Sequence, residues 1–195
     1  MIFKLAPYER KIFQVVKDAS ESLGVKSYVV GGYVRDKLLG RPSPDIDIVT
    51  VGDGIALANE VAGKLNPIPR ISIFQRFGTA QILHGDLNLE FVGARKESYR
   101  EDSRKPNVEG GSLEDDIARR DFTINAMAVS LNEEDFGQLI DMFDGMKHLE
   151  AKIIKTPLDP ERTFSDDPLR MLRAVRFANQ LGYEIETNTL QGIKQ

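Results

Sequence analysis

A buried strand that breaks at two glycines constrains this sequence more than any other feature. Residues 25–30 are mostly apolar and β-branched, Gly31 and Gly32 interrupt them, and residues 33–39 have the composition of a short helix. A strand that turns through glycine into a helix N-terminus directs backbone N–H groups toward an anion. Only glycine lets a triphosphate approach the backbone this closely. Arg35, one turn into the helix, can add a forked cationic contact, so this segment predicts a phosphate-binding turn.

The next predicted strand carries two acidic residues at alternate positions. Alternate strand residues point to the same face at a repeat of about 6.5–7 Å, so Asp45 and Asp47 share a face while Ile46 and Ile48 point to the core. Two carboxylates beside a phosphate-binding turn are what a pair of Mg²⁺ ions needs. A solvated strand face is the alternative for this pair alone. The glycine turn upstream favours the metal site.

Composition bounds the class of protein. The chain has 195 residues, 41% hydrophobic and 29% charged, as in ordinary globular domains. It has no cysteine, which excludes disulfide partners and thiolate zinc sites and fits a reducing compartment. No apolar run has the length of a signal peptide or membrane span, so we expect a cytoplasmic protein without a membrane partner. The net charge of −4 means that any RNA contact must come from a local basic surface.

Hydrophobic spacing predicts most of the other elements. Helices are expected over 8–23, 55–65 and 144–150, and strands over 68–73, 78–84, 86–92, 127–131, 139–143 and 153–155. In the strand over 86–92, Glu90 falls on the face opposite Leu89 and Phe91. If this strand lies beside the Asp45 strand, Glu90 is a third carboxylate for the metals; otherwise it is an exposed strand glutamate. Residues 95–112 are polar and nearly free of large aliphatic side chains, which predicts a long loop.

Two arginine clusters follow. Arg119 and Arg120 lie in an otherwise apolar stretch, where partly buried guanidinium groups require partners such as a bound phosphate. The last long helix is predicted to begin at Pro168 with Asp167 as its N-cap. Its core face on a helical wheel consists of Met171, Leu172, Val175 and Ala178. Its opposite arc consists of Arg170, Arg173 and Arg176. A stripe of arginines without lysine favours recognition of planar or phosphate groups over a solvated face.

Four motifs together resemble the head domain and the first part of the neck of class II tRNA nucleotidyltransferases (CCA-adding enzymes) and bacterial poly(A) polymerases. They are Gly31-Gly32-Tyr33-Val34-Arg35-Asp36, Asp45-Ile46-Asp47, Arg119-Arg120-Asp121-Phe122-Thr123-Ile124-Asn125-Ala126-Met127-Ala128 and Asp166-Asp167-Pro168-Leu169-Arg170-Met171-Leu172-Arg173-Ala174-Val175-Arg176-Phe177. The resemblance covers residues 25–182. It implies an α/β (α+β) polymerase-β-like fold, with a mixed, mainly antiparallel sheet flanked by helices. We expect a catalytic head over 1–157 and the beginning of a helical neck over 158–195, in a fragment of a longer protein.

The resemblance also implies roles for the motif residues. Asp45 and Asp47 would be the catalytic pair and would hold two Mg²⁺ ions. The nucleotide phosphates would contact Gly31, Gly32, Arg35, Arg119 and Arg120. Asp167 and Arg170 would read the base of CTP or ATP, because a carboxylate and a guanidinium can satisfy the donors and acceptors at the edge of cytosine or adenine. Further nucleotide-binding positions would be Asn125, Arg173 and Arg176. The implied reaction adds CMP and AMP to a tRNA 3′ end.

Two departures and several alternatives remain open. The residue before Asp167 is Asp166 where the family has Glu, and the regions that grip the body of the tRNA are absent from this sequence. Within the family, poly(A) addition and partial CC- or A-addition use the same motifs, although residues 76–80 (Arg-Phe-Gly-Thr-Ala) resemble CCA-adding enzymes more. A metal-dependent glycosyltransferase and a nucleotide- or RNA-binding module without turnover are the alternatives from other classes.

Overall fold

A central sheet organises the chain, and the computed structural model describes residues 2–100 and 103–194. The helices are α1 (Pro7–Leu23), α2 (Gly32–Leu38), α3 (Gly54–Lys64), α4 (Leu113–Ala118), α5 (Gly145–Glu150), α6 (Pro160–Asp166), α7 (Leu169–Leu181) and α8 (Thr187–Lys194). The strands are β1 (Lys26–Val30), β2 (Asp45–Val51), β3 (Ile71–Phe74), β4 (Thr79–His84), β5 (Leu87–Gly93), β6 (Arg95–Arg100), β7 (Ser103–Gly110), β8 (Met127–Ser130), β9 (Leu139–Asp141), β10 (Ile153–Ile154) and β11 (Glu184–Ile185). No helix in these described ranges has both the length and the hydropathy of a membrane span.

The central sheet has seven strands in the order β3-β4-β5-β2-β1-β8-β9. Strands β2 and β5 pair in parallel, and the other neighbours in this sheet pair antiparallel. The predicted mixed, mainly antiparallel sheet flanked by helices is therefore confirmed. The parallel pair matters most for the site, because it sets β5 directly beside the strand that carries Asp45 and Asp47.

The two faces of the sheet differ in what covers them. One face buries Ile46 and Ile48 completely, in the main hydrophobic core with α1 and α3. The other face holds a smaller apolar cluster in which Val49 packs with Leu113 and Ile117 of α4. Because side chains alternate along β2, Asp45 and Asp47 lie on this second face, which we call the acidic face.

The long loop predicted over 95–112 is wrong for the described residues, because 95–100 and 103–110 form the two strands of a β-hairpin. Residues 101 and 102 lie outside the described part of the chain. Strands β6 and β7 pair antiparallel as a separate two-stranded sheet, with Arg95 opposite Gly110 and Lys96 opposite Glu109. Hairpin hydrogen bonds join backbone groups and require no apolar side chain. A hairpin that is not part of the central sheet needs no apolar face of its own, so its sequence lacks the alternation by which strands are recognised.

The core face predicted for the last helix is also wrong in part. Leu172 and Val175 are 69% and 56% exposed, whereas Ala174 and Phe177 are buried. Met171 and Ala178 do pack partly against the core. The helical wheel weighted aliphatic size, but α7 contacts the head through Phe177, whose ring packs edge-on against Phe122 at 5.9 Å.

The arginines of α7 flank this contact face instead of lying opposite it. The guanidinium groups of Arg173 and Arg176 lie 5.3 Å and 4.9 Å from the centroid of the Phe177 ring. Stacking on an aromatic face satisfies guanidinium groups that stay partly in solvent. Phe177 therefore contacts both the core, through Phe122, and the arginines that were predicted to lie on the opposite arc.

The start of α7 differs slightly from the prediction. The helix begins at Leu169, and Asp167 accepts a hydrogen bond from the Leu169 backbone N–H at 3.1 Å without occupying the N-cap position. A helix that the sequence did not predict, α6, precedes it and is capped by Asp159, which accepts from the Arg162 N–H at 3.1 Å. The Asp-Pro pair thus joins two helices.

We predict that Phe177→Ala destabilises the protein and that Leu172→Ala does not. Removing a buried phenylalanine costs about 3–5 kcal/mol of unfolding free energy, whereas a change at an exposed site usually stays within about 0.5 kcal/mol. Urea unfolding of both variants beside the wild type measures the difference. A larger loss for Leu172→Ala than for Phe177→Ala would contradict the packing of α7 described above.

Candidate active site

Three carboxylates lie side by side on the acidic face. Asp47 on β2 is the register partner of Glu90 on β5, and Asp45 is the partner of Asn88. The Asn88 side-chain amide donates to Asp45 Oδ1 at 2.9 Å and so holds that carboxylate. Glu90 was expected to be a third carboxylate of the site only if its strand lies beside the Asp45 strand, and the parallel pairing of β2 and β5 places it there. Its role as a metal ligand stays a prediction, since no three Asp, Glu, His or Cys side chains form a metal cluster in the described part of the chain.

Burial and neighbouring charge shift the pKa values of Asp47 and Glu90. Burial raises the pKa of Asp47; the Arg120 guanidinium opposes this shift and Asp45 adds to it. Burial also raises the pKa of Glu90, and the neighbouring charge of Asp47 raises it further. Like charges that burial holds close together bind protons more tightly than isolated carboxylates do. A cation placed between them would reverse this effect, so the donor set fits a hard divalent ion.

The glycine turn brings an arginine against Asp47. Gly31 has φ 77°, a conformation that side chains rarely adopt, and its N–H donates to the Met127 carbonyl at 3.2 Å. A Cβ atom at this position would lie 2.9 Å from Nη1 of Arg120 and 3.5 Å from Oδ2 of Asp47. The space that a side chain at Gly31 would need is therefore filled by the Arg120 guanidinium group. The phosphate role of Gly31 stays a prediction. Gly32 is less constrained, since a Cβ there would meet Arg35 Nη2 at 3.5 Å.

A buried aspartate that the sequence analysis missed positions the arginine pair. Asp116 of α4 is 0% exposed and accepts from Arg119 Nη2 at 2.6 Å and from Arg120 Nη2 at 2.9 Å. Burial alone would raise the pKa of Asp116, but Arg120 and Arg119 together lower it. The spacing of three and four residues was the available signal, because such positions are neighbours on a helix.

Arg120 keeps one unsatisfied donor. Its Nε is buried and has no hydrogen-bond acceptor among the described residues. Buried polar groups in folded proteins are nearly always paired, so an orphaned donor beside a cleft indicates a site for an anionic ligand. This is the strongest structural sign that the arginine pair serves a phosphate.

Arg35 is committed to partners inside the protein. It is 6% exposed, and its Nε and Nη2 donate to the Asp36 carboxylate at 2.9 Å and 3.0 Å. Its Nη1 donates to Oδ1 of Asn125 at 2.6 Å, and its guanidinium lies 5.1 Å from the Phe177 ring centroid. The fork that the sequence assigned to phosphate is thus occupied by Asp36. The phosphate role of Arg35 stays a prediction.

The same network extends to α7. Asn125 Nδ2 donates to Asp121 Oδ1 at 3.0 Å, and the other oxygen of Asp121 accepts from Arg173 Nε and Nη2 at 2.7 Å and 2.6 Å. Asn125, Arg173 and Arg35 were predicted separately as nucleotide contacts. The structure joins them in one network, because Arg35 donates to Asn125, and Asn125 and Arg173 both donate to Asp121. Arg176 belongs to the same network because its guanidinium lies against the Phe177 ring.

The predicted base-reading residues are engaged by backbone groups. Arg170 Nη2 donates to the Arg119 carbonyl at 2.8 Å, and its Nη1 donates to the Thr163 carbonyl at 3.3 Å. Asp167 contacts the backbone at the start of α7. Arg170 and Arg119 line a small cavity of about 140 Å³. The base-reading role of this pair stays a prediction.

A wider cleft opens over the acidic face. Its volume is about 620 Å³, enough for a nucleotide. Its lining consists of Asp47, Phe74, Phe77, Thr79, Gln81, Glu90, Val92, Arg95, Arg119 and Arg120. Carboxylates therefore form part of its floor, and arginines bound it on the side of α4. This arrangement can hold a metal-bound polyphosphate.

Comparison with known proteins gives concordant matches. The sequence model of the family described as "Poly A polymerase head domain" matches residues 27–155. An A-adding tRNA nucleotidyltransferase of Aquifex aeolicus is 46% identical over 173 residues, which are 88% of this chain and 20% of that protein. A CCA-adding enzyme of Lactiplantibacillus plantarum is 39% identical over 195 residues, 99% of this chain and 46% of that protein.

Solved structures agree with these matches. One described as a tRNA-processing enzyme in its apo form I has a TM-score of 0.86 at 39% identity and covers 100% of this chain and 48% of its own. A tRNA nucleotidyltransferase complexed with a primer tRNA and an incoming ATP analog has a TM-score of 0.79 at 42% identity, over 92% of this chain and 49% of its own.

The chain spans less than half the length of these relatives. The family model nevertheless covers well over half of the chain. Its polymerase-β-like fold is shared with solved structures that exceed a third in sequence identity over nearly the whole chain. The chain therefore belongs to the poly A polymerase head domain family, together with the CCA-adding and A-adding tRNA nucleotidyltransferases.

Proposed function

We propose that this chain contains the catalytic head of a tRNA nucleotidyltransferase that adds CMP and AMP, from CTP and ATP, to a tRNA 3′ end. The observation that carries this proposal is that Asp45 and Asp47 lie on one sheet face beside Arg120, whose buried Nε has no acceptor in the described part of the chain. In this proposal residues 1–157 form the head and residues 158–195 begin the neck. The setting is the cytoplasm.

Asp45 and Asp47 are the residues that would hold Mg²⁺, with Glu90 as a third candidate. The raised pKa of Asp47 and that of Glu90 support this, because burial and then the neighbouring carboxylates raise them, and a bound cation would favour the ionised forms. When bound, the metal ions would neutralise phosphate charge and favour attack of the RNA 3′-hydroxyl on the α-phosphate, with release of pyrophosphate.

The residues of the chain have distinct tasks around that reaction. Arg120 and Arg119, held by Asp116, place positive charge where the triphosphate would lie. Gly31, which has no Cβ, leaves room for Arg120 beside Asp47. Arg35 and Asn125 position the turn relative to α7, so that phosphate contacts and base contacts keep a fixed separation.

Addition of AMP alone is the second candidate. It is favoured by the 46% identity to an A-adding relative. Incubation with tRNA that ends at the discriminator base or after both cytidines, with labelled CTP or ATP, separates the two candidates. Incorporation of both CMP and AMP into tRNA that ends at the discriminator base supports CCA addition, whereas AMP incorporation only into tRNA that ends in CC supports A addition. Nucleotide binding without any incorporation would support a non-catalytic module, and sugar release from UDP-sugars would support a glycosyltransferase.

We predict that Asp47→Asn abolishes nucleotide transfer and leaves the protein folded. Loss of a metal-holding carboxylate removes several kcal/mol of transition-state stabilisation, on the order of a thousandfold in rate. Circular dichroism and labelled-nucleotide incorporation are the measurements, with Asp86→Asn in the exposed β4–β5 turn as the charge-matched control. Normal incorporation by Asp47→Asn would refute the metal assignment.

We predict that Arg170→Ala and Arg120→Ala have different effects on nucleotide choice. Arg170→Ala should relax the preference for CTP and ATP over UTP and GTP by about 1–3 kcal/mol, the usual value of a bidentate base contact. Arg120→Ala should weaken all four nucleotides about equally, because every triphosphate presents the same charge. Titrations of the four nucleotides give both results, with Arg10→Ala at an exposed position of α1 as the control. If Arg170→Ala weakened all four by one factor, its contacts to the backbone would be its whole role.

A further inference from the structure

Two phenylalanines line the cleft over the acidic face without being buried. Phe74 is 47% exposed and Phe77 is 61% exposed, and both line the same cavity as Asp47 and Glu90. Phe74 is the register partner of Thr79, and Glu90 that of Gln81, so Phe74 lies on the acidic face. Large aromatic side chains left in solvent beside a polar cleft are typical of a binding surface.

The backbone around Phe77 holds its ring at the rim of the cleft. Residues 75–77 form a short 3₁₀ turn that Gly78 ends in the left-handed conformation, at φ 61°. Arg95, from the first position of β6, donates through Nη2 to the Phe77 carbonyl. This turn is therefore tied both to the central sheet and to the hairpin, and the ring stays near the carboxylates.

Positive charge accompanies the two rings. The Arg76 guanidinium lies 6.0 Å from the centroid of the Phe77 ring, and Arg95 lines the cleft itself. Aromatic rings for base stacking, with arginines along the backbone path, are the features by which proteins hold single-stranded nucleic acid. In a chain of net charge −4 this local basic and aromatic patch is the kind of surface that an RNA contact requires.

We infer that Phe77, supported by Phe74, stacks on the unpaired terminal base of the RNA whose 3′-hydroxyl is extended. This inference rests on the proposed function, and it adds the position of the RNA end. The alternative occupant is the base of the incoming nucleotide. Arg119 lines both this cleft and the small cavity of Arg170, whereas Phe77 lines the cleft and not that cavity. Arg119 therefore lies between the proposed base-reading site and the aromatic rim, which leaves the rim for the RNA.

Fluorescence of a single-stranded RNA that ends in 2-aminopurine tests this contact directly, because stacking on an aromatic ring quenches the probe. The wild type should quench it, Phe77→Ala should not, and Phe77→Trp should restore quenching. Ile73→Ala is the control, because Ile73 is 48% exposed and lies on the face of β3 opposite Phe74. In transfer assays Phe77→Ala should raise the KM for the RNA about 5- to 150-fold, the effect of losing one stacked base. The KM for CTP or ATP should not change.

The outcomes separate this inference from the proposed function. Quenching by Phe77→Ala equal to the wild type, or a rise in the KM for the nucleotide instead of the RNA, overturns the stacking role and leaves nucleotide transfer intact. Quenching that depends on Phe77, in a wild-type protein that transfers no nucleotide, supports the stacking site and overturns the proposed activity.

Discussion

The buried ion pairs of Asp116 hold the site together. A carboxylate that is 0% exposed is costly unless it is paired, and here Arg119 and Arg120 both supply donors. Held in this way, Arg120 reaches across to Gly31 and occupies the position that any other residue's Cβ would need. Helix α4, the glycine turn and β2 are thus fixed relative to one another by one carboxylate. Without Asp116, two guanidinium groups would lose their anchor beside Asp47.

A second polar network continues from the first through residues 119–125. It runs from Asp36 through Arg35 and Asn125 to Asp121, and ends at Arg173 on α7. Phe177 lies at its centre, with three arginines within 5.3 Å of its ring centroid. Side-chain networks that are fully satisfied specify one arrangement of the elements they join. The glycine turn and α7 are therefore connected through this network.

The sequence predicted those parts of this arrangement that depend on residues close together in the chain, and it predicted less of the parts that depend on distant segments. The alternation of Asp45 and Ile46 is local, and the placement of Ile46 in the core is confirmed. The parallel pairing with β5 was stated only as a condition, since strand order depends on distant segments. The predicted core face of α7 was wrong in part because Phe177 contacts Phe122 and Arg35, and a helical wheel does not include contacts with other elements. Asp116 was missed because an acidic residue in a short helix has the same pattern whether it is solvated or buried.

Neighbouring carboxylates of the site have pKa values shifted in opposite directions. Asp116 has a lowered pKa, so its pairing stabilises the fold at pH above its unfolded value and is lost as the pH falls through the folded value. Asp47 and Glu90 have raised pKa values, so their ionised forms near neutral pH cost the folded state free energy. Asp116 holds Arg119 and Arg120, and Arg120 offsets the raised pKa of Asp47 only in part. What remains is a group of carboxylates beside a cationic edge, a combination that a ligand bringing both a cation and an anion can satisfy.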